Sequence, residues 1–289
     1  MHPLLFQIAD LRFHSYPTML ALAFLVCTLL AERDGRLLKK SVWVPPQGAV
    51  WTLLGALFGA KVFWILQYSE PKYLYHAFFL WEAGYVFYGG LLGGFVGAAI
   101  YCYIIDNFDF RIADVCVPFL ALGQGIVRIG CFLNGCCHGG VCEAPWGVEF
   151  PRFSYAWDVH LEAGLIESDV QHSLAVHPTQ LYMTIGLVAM CFVLRWSVKH
   201  SPFTFAVFLQ YMFLYGILRG VVEMFRGDPA PLILGLRASQ TMSIFLIVAA
   251  IVVYPVLYKM SQRRRAEEAV TQQDEPEPLE EEPAPAEGS

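Results

Sequence analysis

The stretch VRIGCFLNGCCHGG, residues 127–140, ends the long apolar segment that begins at Ile112. It places Arg128 at the end of an apolar segment that is long enough to cross a membrane, and Asn134, cysteines and glycines follow. A charge at the end of such a run is costly unless it has a partner or a ligand, so it marks a candidate functional site. An arginine whose side chain reaches lipid head groups would be an alternative. That alternative does not explain the polar, glycine-rich turn that follows.

The composition indicates a polytopic membrane protein. The chain has 289 residues, of which 56% are hydrophobic and 15% charged, whereas soluble domains carry about 25% charged residues. The first apolar segment lacks an Ala-x-Ala-like cleavage site and ends in the charged run Glu32–Arg36. We therefore expect it to remain in the protein as a membrane helix rather than to be removed as a signal peptide.

The net charge of −6 comes from the C-terminal tail. Nine acidic and no basic residues follow Arg265, and without them the remaining 265 residues carry +3. Because the tail is also rich in proline, it cannot bury a core. We predict a disordered, acidic, cytoplasmic tail at 261–289, and a transmembrane domain at 1–260.

Seven apolar segments are long enough to predict transmembrane helices. They are Tyr16–Ala31, Ala49–Gln67, Tyr85–Ile105, Ile112–Leu133, Thr179–Trp196, Phe203–Val222 and Ser239–Tyr258. The predicted fold is thus an all-α integral membrane protein. The connection between segments four and five, residues 134–178, contains aromatic, proline and charged residues. We predict that it forms a small extracytoplasmic cap.

Basic residues in the short connections predict the orientation. Arg33 and Arg36 follow segment one, Arg195 and Lys199 end segment five, and a basic cluster that includes Arg263 follows segment seven. With seven spans, all three groups lie on one side, which is then the cytoplasm. The N-terminus is expected outside, the C-terminus inside, and the lipid bilayer around the chain. We expect no nucleic-acid partner.

Costly polar residues gather toward the opposite, outer face. They are Tyr16, Lys61, Tyr88, Arg128, Asn134, His177, Gln180, Tyr215, Arg219, Glu223 and Arg226. Tyr215, Arg219 and Glu223 are spaced by four residues and share one helix face. Glu223 can pair with Arg219 or Arg226, which alone would be an internal ion pair. The remaining arginines favour a second anion, and guanidinium groups recognise phosphate with a planar fork. The set is typical of an anionic phospholipid site.

The cysteine cluster leaves three interpretations open. Cys131, Cys136, Cys137, Cys142 and His138 lie within a dozen positions, without the paired C-x-x-C spacing of a zinc ribbon. We place packing or turn residues first, a disulfide second and a metal site third. We assign no metal ligand and no cofactor.

The motifs resemble those of the bacterial prolipoprotein diacylglyceryl transferases. The central signature of that family is similar to Val127–Gly139, and the resemblance covers most of residues 5–245. Further matches are His14–Tyr16, Gly59–Lys61, Gly89–Leu91, Asp114 with Pro118, His177–Tyr182 and Tyr215–Arg226. The chain departs from the family pattern at several positions. Tyr88 replaces a histidine, Cys131 an asparagine, Cys136 a glutamate and Lys61 an arginine, and Ala238–Gln240 replaces Met-Gly-Gln.

The resemblance implies transfer of a diacylglyceryl group from phosphatidylglycerol to the lipobox cysteine of prolipoproteins, which are recognised through their signal peptides. Arg128 and Arg219 would hold the phosphate and Glu223 would orient Arg219. Tyr88 would donate a hydrogen bond, and His177 is an alternative base, as is His138. Substrate-binding roles fall to the remaining matched positions. These are Tyr16, Lys61, Asn134, Gly139, Gln180, Tyr215 and Arg226.

Two other functions remain open at this point. One is a transferase-like phospholipid-binding protein with another acceptor or with no activity, which the replacement at Tyr88 favours. The other is a membrane redox or metal protein built on the cysteines and His138.

Overall fold

The computed structural model describes residues 4–8, 11–38, 46–68, 86–104, 111–227, 232–233 and 236–274. The regular elements in this part of the chain are eight helices and two short antiparallel hairpins. The helices are α1 (Ser15–Leu38), α2 (Pro46–Tyr68), α3 (Phe87–Ile104), α4 (Arg111–Asn134), α5 (Tyr155–Glu162), α6 (Thr179–His200), α7 (Ala206–Glu223) and α8 (Ala238–Asp274). The strands are β1 (Leu4–Ile8), β2 (Leu11–His14), β3 (Leu232–Ile233) and β4 (Leu236–Arg237).

Six of the described helices are long and apolar enough to cross a membrane. They are α1, α2, α4, α6, α7 and α8. The described apolar part of α3, Leu92–Ile104, is shorter. Each predicted segment corresponds to one helix, and the all-helical fold class is confirmed. The seventh span stays a prediction.

The chain enters α1 through the β1–β2 hairpin, which we did not predict from the sequence. Leu4 pairs with His14, and Ile8 pairs with Leu11. The hairpin ends directly at Ser15, which is fully buried at the start of α1. This connection fixes where α1 begins and therefore where Tyr16 lies.

Helices α2 and α3 pack with their backbones in contact. A Cβ atom added to Gly93 would lie 2.2 Å from the carbonyl oxygen of Gly55, and one added to Gly55 would lie 2.3 Å from that of Gly93. Small residues allow such close approach between membrane helices. The glycine spacing of the third segment therefore serves helix packing.

The main core lies among α4, α6 and α7, with α1 packed against α4. Asp114, in the first turn of α4, is fully buried. Its carboxylate accepts hydrogen bonds from the backbone N–H groups of Phe205, Val207 and Phe208 at 2.9, 3.1 and 3.0 Å. The first N–H groups of a helix have no partner within it. Asp114 supplies that partner and ties the start of α7 to α4.

The C-terminal ends of α1 and α6 are joined by an ion pair between Asp34 and Arg195, with Arg195 Nη2 donating to Asp34 Oδ1 at 3.0 Å. The basic residues predicted to share one membrane side therefore lie near one end of the helix bundle. Helix α8 continues to Asp274, beyond residue 261, where we predicted the disordered tail to begin. Residues 275–289 lie outside the described residues.

The connection between α4 and α6 is folded. Phe150, Ala156 and Val176 form a small buried cluster, and backbone bridges join Val176 to Val141 and Val148. Helix α5 begins after Ser154, whose hydroxyl accepts a hydrogen bond from the Trp157 N–H at 3.3 Å. The segment is thus positioned as a unit over the ends of α4 and α6, and its extracytoplasmic location stays a prediction.

Candidate functional site

Three cysteine thiols converge at the C-terminal end of α4. The Sγ atoms of Cys131, Cys136 and Cys137 all lie within 4.8 Å of one another. Cys131 belongs to the last turns of α4, whereas the other two follow it in the turn Gly135–Cys137. All eight cysteines of the chain are free in this structure. The turn therefore folds back over the helix end and brings its two thiols onto that of Cys131.

The start of α6 holds this turn in place. The side-chain Nε2 of Gln180 donates to the Cys136 carbonyl at 2.8 Å, and the Thr179 hydroxyl donates to the Cys137 carbonyl at 2.8 Å. The Cys136 N–H donates to the Cys131 carbonyl at 3.1 Å. Cys137 adopts a φ of 62°, a left-handed conformation uncommon for a residue other than glycine. The turn is thus held in a disfavoured shape by contacts on two sides.

Glu223 is the centre of an arginine cluster at the C-terminal end of α7. This carboxylate is 3% exposed. Its oxygens lie 2.9 Å from Arg219 Nη2, 3.6 Å from Arg237 Nη1 and 4.0 Å from Arg226 Nε. The pairing of Glu223 with Arg219 and Arg226 that the spacing predicted is present. Three guanidinium groups around one carboxylate leave positive charge for a further anion.

Arg128 lies on the facing side, at the end of α4. It is close enough to Arg219 for their like charges to repel each other. Its positive charge also interacts electrostatically with Cys137 and Tyr16. Arg226 likewise acts on Cys137. The arginines of α4 and α7 and the three thiols therefore belong to one region. Guanidinium groups that repel one another and are half-buried form a typical anion site.

Two tyrosines border this region. Tyr16 is 43% exposed at the start of α1 and interacts electrostatically with Arg128 and the three thiols. Tyr215 interacts in the same way with Arg219, and its ring stacks on Tyr211 with centroids 5.6 Å apart. Both predicted positions are therefore brought together with the arginines.

The thiol cluster is strongly polarised. Hydrogen bonds from the thiols of Cys131 and Cys136 lower the pKa of Cys137 well below its ordinary value. The positive charges of Arg128 and Arg226 lower this pKa further, whereas burial opposes the change. A hydrogen bond from Asn134 also reaches the thiol of Cys136. Asn134 thus contacts the cluster from the end of α4.

His177 and Gly139 lie beside the site rather than among the arginines. His177 Nδ1 is 3.1 Å from the Tyr182 hydroxyl, and its ring packs on Phe225 with centroids 5.2 Å apart. A Cβ atom on Gly139 would lie 2.4 Å from the Phe225 carbonyl and 2.6 Å from the His177 Cβ. Gly139 therefore lets the chain after α7 approach the start of α6.

His138 turns away from the thiols. Its Nδ1 donates to the Gly139 carbonyl at 2.8 Å, because a carbonyl can only accept. Its Nε2 is buried and has no hydrogen-bond partner among the residues that the structure describes. Its ring lies 6.0 Å from those of Tyr155 and His160. Burial, with a smaller effect of His138, lowers the pKa of His160. His138 thus belongs to the folded connection.

Two predicted positions lie on the α2–α3 side. Lys61 is 1% exposed in α2, with its Nζ 5.5 Å from the centroid of the Trp64 ring. Tyr88 is part of α3, but its side chain lies outside the described residues.

Arg237 was missed by the sequence analysis. It lies in β4, a two-residue strand, and its N–H donates to Gln240 Oε1 at 3.1 Å. An arginine in a short connection carries no periodic pattern, so only its position directly before α8, three residues from Gln240, could have drawn attention to it. In the structure, Arg237 Nη1 lies 3.6 Å from Glu223 Oε1 and forms an ion pair with it.

Comparisons with known proteins identify the family of this chain. A model of the prolipoprotein diacylglyceryl transferase family matches residues 3–256. The phosphatidylglycerol–prolipoprotein diacylglyceryl transferase of Clostridium tetani is 31% identical over 263 residues, which are 89% of this chain and 98% of that protein. The transferase 2 of Clostridium perfringens is 29% identical, over 89% and 95% of the two chains. That of Proteus mirabilis is 31% identical, over 86% and 90%. A match over nearly the whole length shows that this chain belongs to the prolipoprotein diacylglyceryl transferase family.

Proposed function

We propose that this protein transfers a diacylglyceryl group from phosphatidylglycerol to the cysteine thiol of a prolipoprotein lipobox. The observation that carries the proposal is the pairing of Arg219 with Glu223 within electrostatic range of Arg128. This geometry provides guanidinium donors from two helices for one phosphate group. The names of the family relatives supply the lipid and the protein acceptor.

The reaction requires that the leaving phosphate be stabilised as negative charge develops on it. Arg128 and Arg219 bind its oxygens in this proposal. Glu223 holds Arg219 at 2.9 Å and so limits the orientations of its guanidinium. Tyr16 and Tyr215, which border the arginines, line the head-group pocket. Asn134, Gln180, Lys61, Gly139 and Arg226 are assigned to binding and positioning, as the sequence predicted.

The reaction also requires a thiolate nucleophile. Tyr88 occupies the family's histidine position, and a phenol with an ordinary pKa of about 10 is a poor base at neutral pH. His177 is the base suggested by the sequence. Its described contacts are with Tyr182 and Phe225, so it lies at the edge of the site.

We assign the protein to the bacterial inner membrane with α3 as the seventh span, its N-terminus outside and its C-terminus in the cytoplasm. The 134–178 connection is then the extracytoplasmic cap, and the arginine site faces the outer leaflet. A reporter enzyme active only outside the cytoplasm, fused after Ser289, should be inactive. Activity of that fusion would reverse the orientation.

The function is tested with purified protein in vesicles containing phosphatidylglycerol and a synthetic lipobox peptide. The wild type should lipidate the peptide, and Arg128→Ala and Arg219→Ala should lose on the order of 100-fold in rate, since each removes a charged donor to the phosphate. Arg264→Ala, an exposed position near the far end of α8, is the control and should keep full activity. Equal, nonzero rates in all four proteins would exclude the arginine clamp.

A folded wild type that binds phosphatidylglycerol but lipidates no lipobox peptide would favour the alternative, a lipid-binding relative with another acceptor. Expression of this protein in a cell depleted of its own transferase distinguishes the same two functions in vivo. Growth with the wild type but not with Arg128→Ala supports transfer.

A further inference from the structure

The phosphate clamp uses arginines and does not account for the three thiols beside it. The Sγ atoms of Cys131, Cys136 and Cys137 lie within 4.8 Å of one another. A tetrahedral zinc ion with Zn–S bonds of about 2.3 Å requires sulfurs about 3.8 Å apart. The existing separations therefore reach this geometry with small side-chain rotations. Cysteines that serve only as small packing residues do not need to converge in this way.

The backbone around the thiols already has a conformation that directs them toward one another. Cys137 keeps a left-handed φ of 62°, and such disfavoured conformations persist where the surrounding structure imposes them, frequently at functional sites. Gln180 and Thr179 impose it here through the carbonyls of Cys136 and Cys137. These contacts aim two consecutive side chains at Cys131.

The charges around the cluster suit a bound thiolate complex. Three thiolates and one Zn²⁺ carry a net charge of −1. Arg128 and Arg226 are close enough to Cys137 to interact with it electrostatically. A half-buried site with a negative charge is stabilised by such cations. Among the described residues, the cluster contains three ligands, which leaves one position of a tetrahedron open, as in catalytic rather than structural zinc sites.

We propose that Cys131, Cys136 and Cys137 bind Zn²⁺ and that the fourth position binds the thiol of the acceptor cysteine. The second half of this statement rests on the proposed function. It places the acceptor sulfur beside Arg128, where the lipid phosphate is held. It also supplies the thiolate that Tyr88 is poorly suited to generate. The metal, which the sequence analysis ranked third, becomes the best account of the cluster.

The step is balanced without an oxidant or a reductant. The acceptor thiol loses its proton to water when its sulfur binds Zn²⁺, because a coordinating thiol is deprotonated. That sulfur attacks the glyceryl carbon that carries the phosphate. The C–S bond forms as the C–O bond breaks, and its electron pair leaves on the phosphate oxygen of glycerol phosphate. Zn²⁺ stays in one oxidation state throughout.

The first test measures the metal itself. Full-length protein is purified in detergent with a phosphine reductant, dialysed against a zinc buffer, and analysed for zinc by mass spectrometry. The wild type should retain about one zinc per chain, as a three-thiolate site would. Cys136→Ser should lose most of it, and so should Cys131→Ser. Cys142→Ser, which changes a buried free thiol outside the cluster, is the matched control and should retain it.

Substitution by Co²⁺ covers the case in which a serine variant fails to fold. Co²⁺-loaded wild type should show sulfur-to-cobalt charge transfer and the visible bands of a tetrahedral site. These bands should shift when a lipobox peptide is added and should not shift with the same peptide carrying Cys→Ser. Cobalt binding without any peptide-dependent shift would overturn the assignment of the fourth position.

The outcomes separate the two proposals. A wild type that binds no zinc overturns the metal site, even if it lipidates peptide. A wild type whose thiols form a disulfide under air and bind no metal after reduction also overturns it, in favour of a redox pair. Stoichiometric zinc without lipidation leaves the metal site in place and removes the proposed function.

Discussion

Gln180 Nε2 donates a hydrogen bond to the carbonyl oxygen of Cys136 over 2.8 Å. This contact joins the start of α6 to the turn that follows α4. Gln180 is 1% exposed, so the bond is shielded from water. The sequence predicted that this side chain binds substrate, which stays a prediction, and in the structure its amide nitrogen supports the turn that carries two of the three thiols.

Replacing Gln180 by methionine should therefore disturb the thiol turn. The variant leaves the partly buried Cys136 carbonyl without its side-chain donor, which costs about 1–3 kcal/mol. We expect a lower thermal unfolding midpoint and a weakened lipidation rate in the vesicle assay. Gln171→Met, in an exposed side chain that donates to the Asp169 carbonyl two residues earlier, should change neither. A Gln180→Met protein as stable as the control would mean that the bond is dispensable.

Glu223→Gln should unbalance the arginine cluster. The amide keeps the shape of the side chain but removes the charge that faces three guanidinium groups. Loss of one partner from a buried ion pair costs about 3–5 kcal/mol, and we expect the lower end or less because the arginines are partly exposed. Denaturant unfolding measures this loss.

The matched control for Glu223 is Glu32→Gln. Glu32 pairs with Arg36 at the same i,i+4 spacing, but on an exposed part of α1. Surface pairs contribute about 0–1 kcal/mol, so this variant should unfold like the wild type. Similar losses of unfolding free energy in both variants would show that the buried cluster contributes no more to stability than the exposed pair.

Asp114→Asn should weaken the junction of α4 and α7. The carboxylate accepts three backbone hydrogen bonds, and the amide can accept through one oxygen only. Removing a helix-capping acceptor costs about 0.5–2 kcal/mol. We expect a lower unfolding midpoint with an unchanged KM for the lipid. Asp169→Asn, at an exposed position, controls for the change of charge, and a raised KM would place Asp114 in the site instead.

Gly93→Ala should separate α2 from α3. The new methyl group would lie 2.2 Å from the Gly55 carbonyl oxygen, so the backbones must move apart. Overpacking of this kind costs about 1–3 kcal/mol. Gly94→Ala, one residue on, places its methyl 3.4 Å from the Ala56 Cβ and should be tolerated. Thermal unfolding in detergent compares the two, and equal midpoints would contradict the packing seen here.

Stability should fall at acidic pH through His160. Burial, and less so His138, lowers its pKa in the folded protein, so the unfolded chain binds the extra proton more readily. The stabilising contribution is complete above the unfolded pKa of about 6.5 and declines as the pH falls from there toward the folded pKa. Unfolding midpoints on both sides of this pH should show the decline in wild type and in His172→Asn, an exposed control. The decline should be smaller in His160→Asn. If the unfolding midpoint of that variant fell with pH as steeply as that of the wild type, His160 would not be its cause.

The apolar segments predicted the helices because hydrophobicity and length are local properties of the chain. Most bounds moved by a few residues, mainly where polar residues such as Arg36 or Gln47 extend a helix beyond its apolar part. Helix α8 is the exception, because it continues past the predicted end at Tyr258 to Asp274. The Arg219–Glu223 pair was also predictable, since residues four apart meet on one helix face whatever surrounds them. The glycines of α3 indicated that another helix could approach closely, but they did not indicate that its contact residue would be Gly55 of α2.

The remaining features depended on how distant segments meet. Arg237 reaches Glu223 only because β3 and β4 bring the start of α8 back to the end of α7. The three thiols meet because a left-handed Cys137 and two side chains of α6 fold the turn back on α4. Sequence alone therefore predicted which segments form long apolar helices and which residues are costly to place in a bilayer. The tertiary structure decided which of those residues share a site, because turn shape and contacts between helices have no periodic signature in the chain.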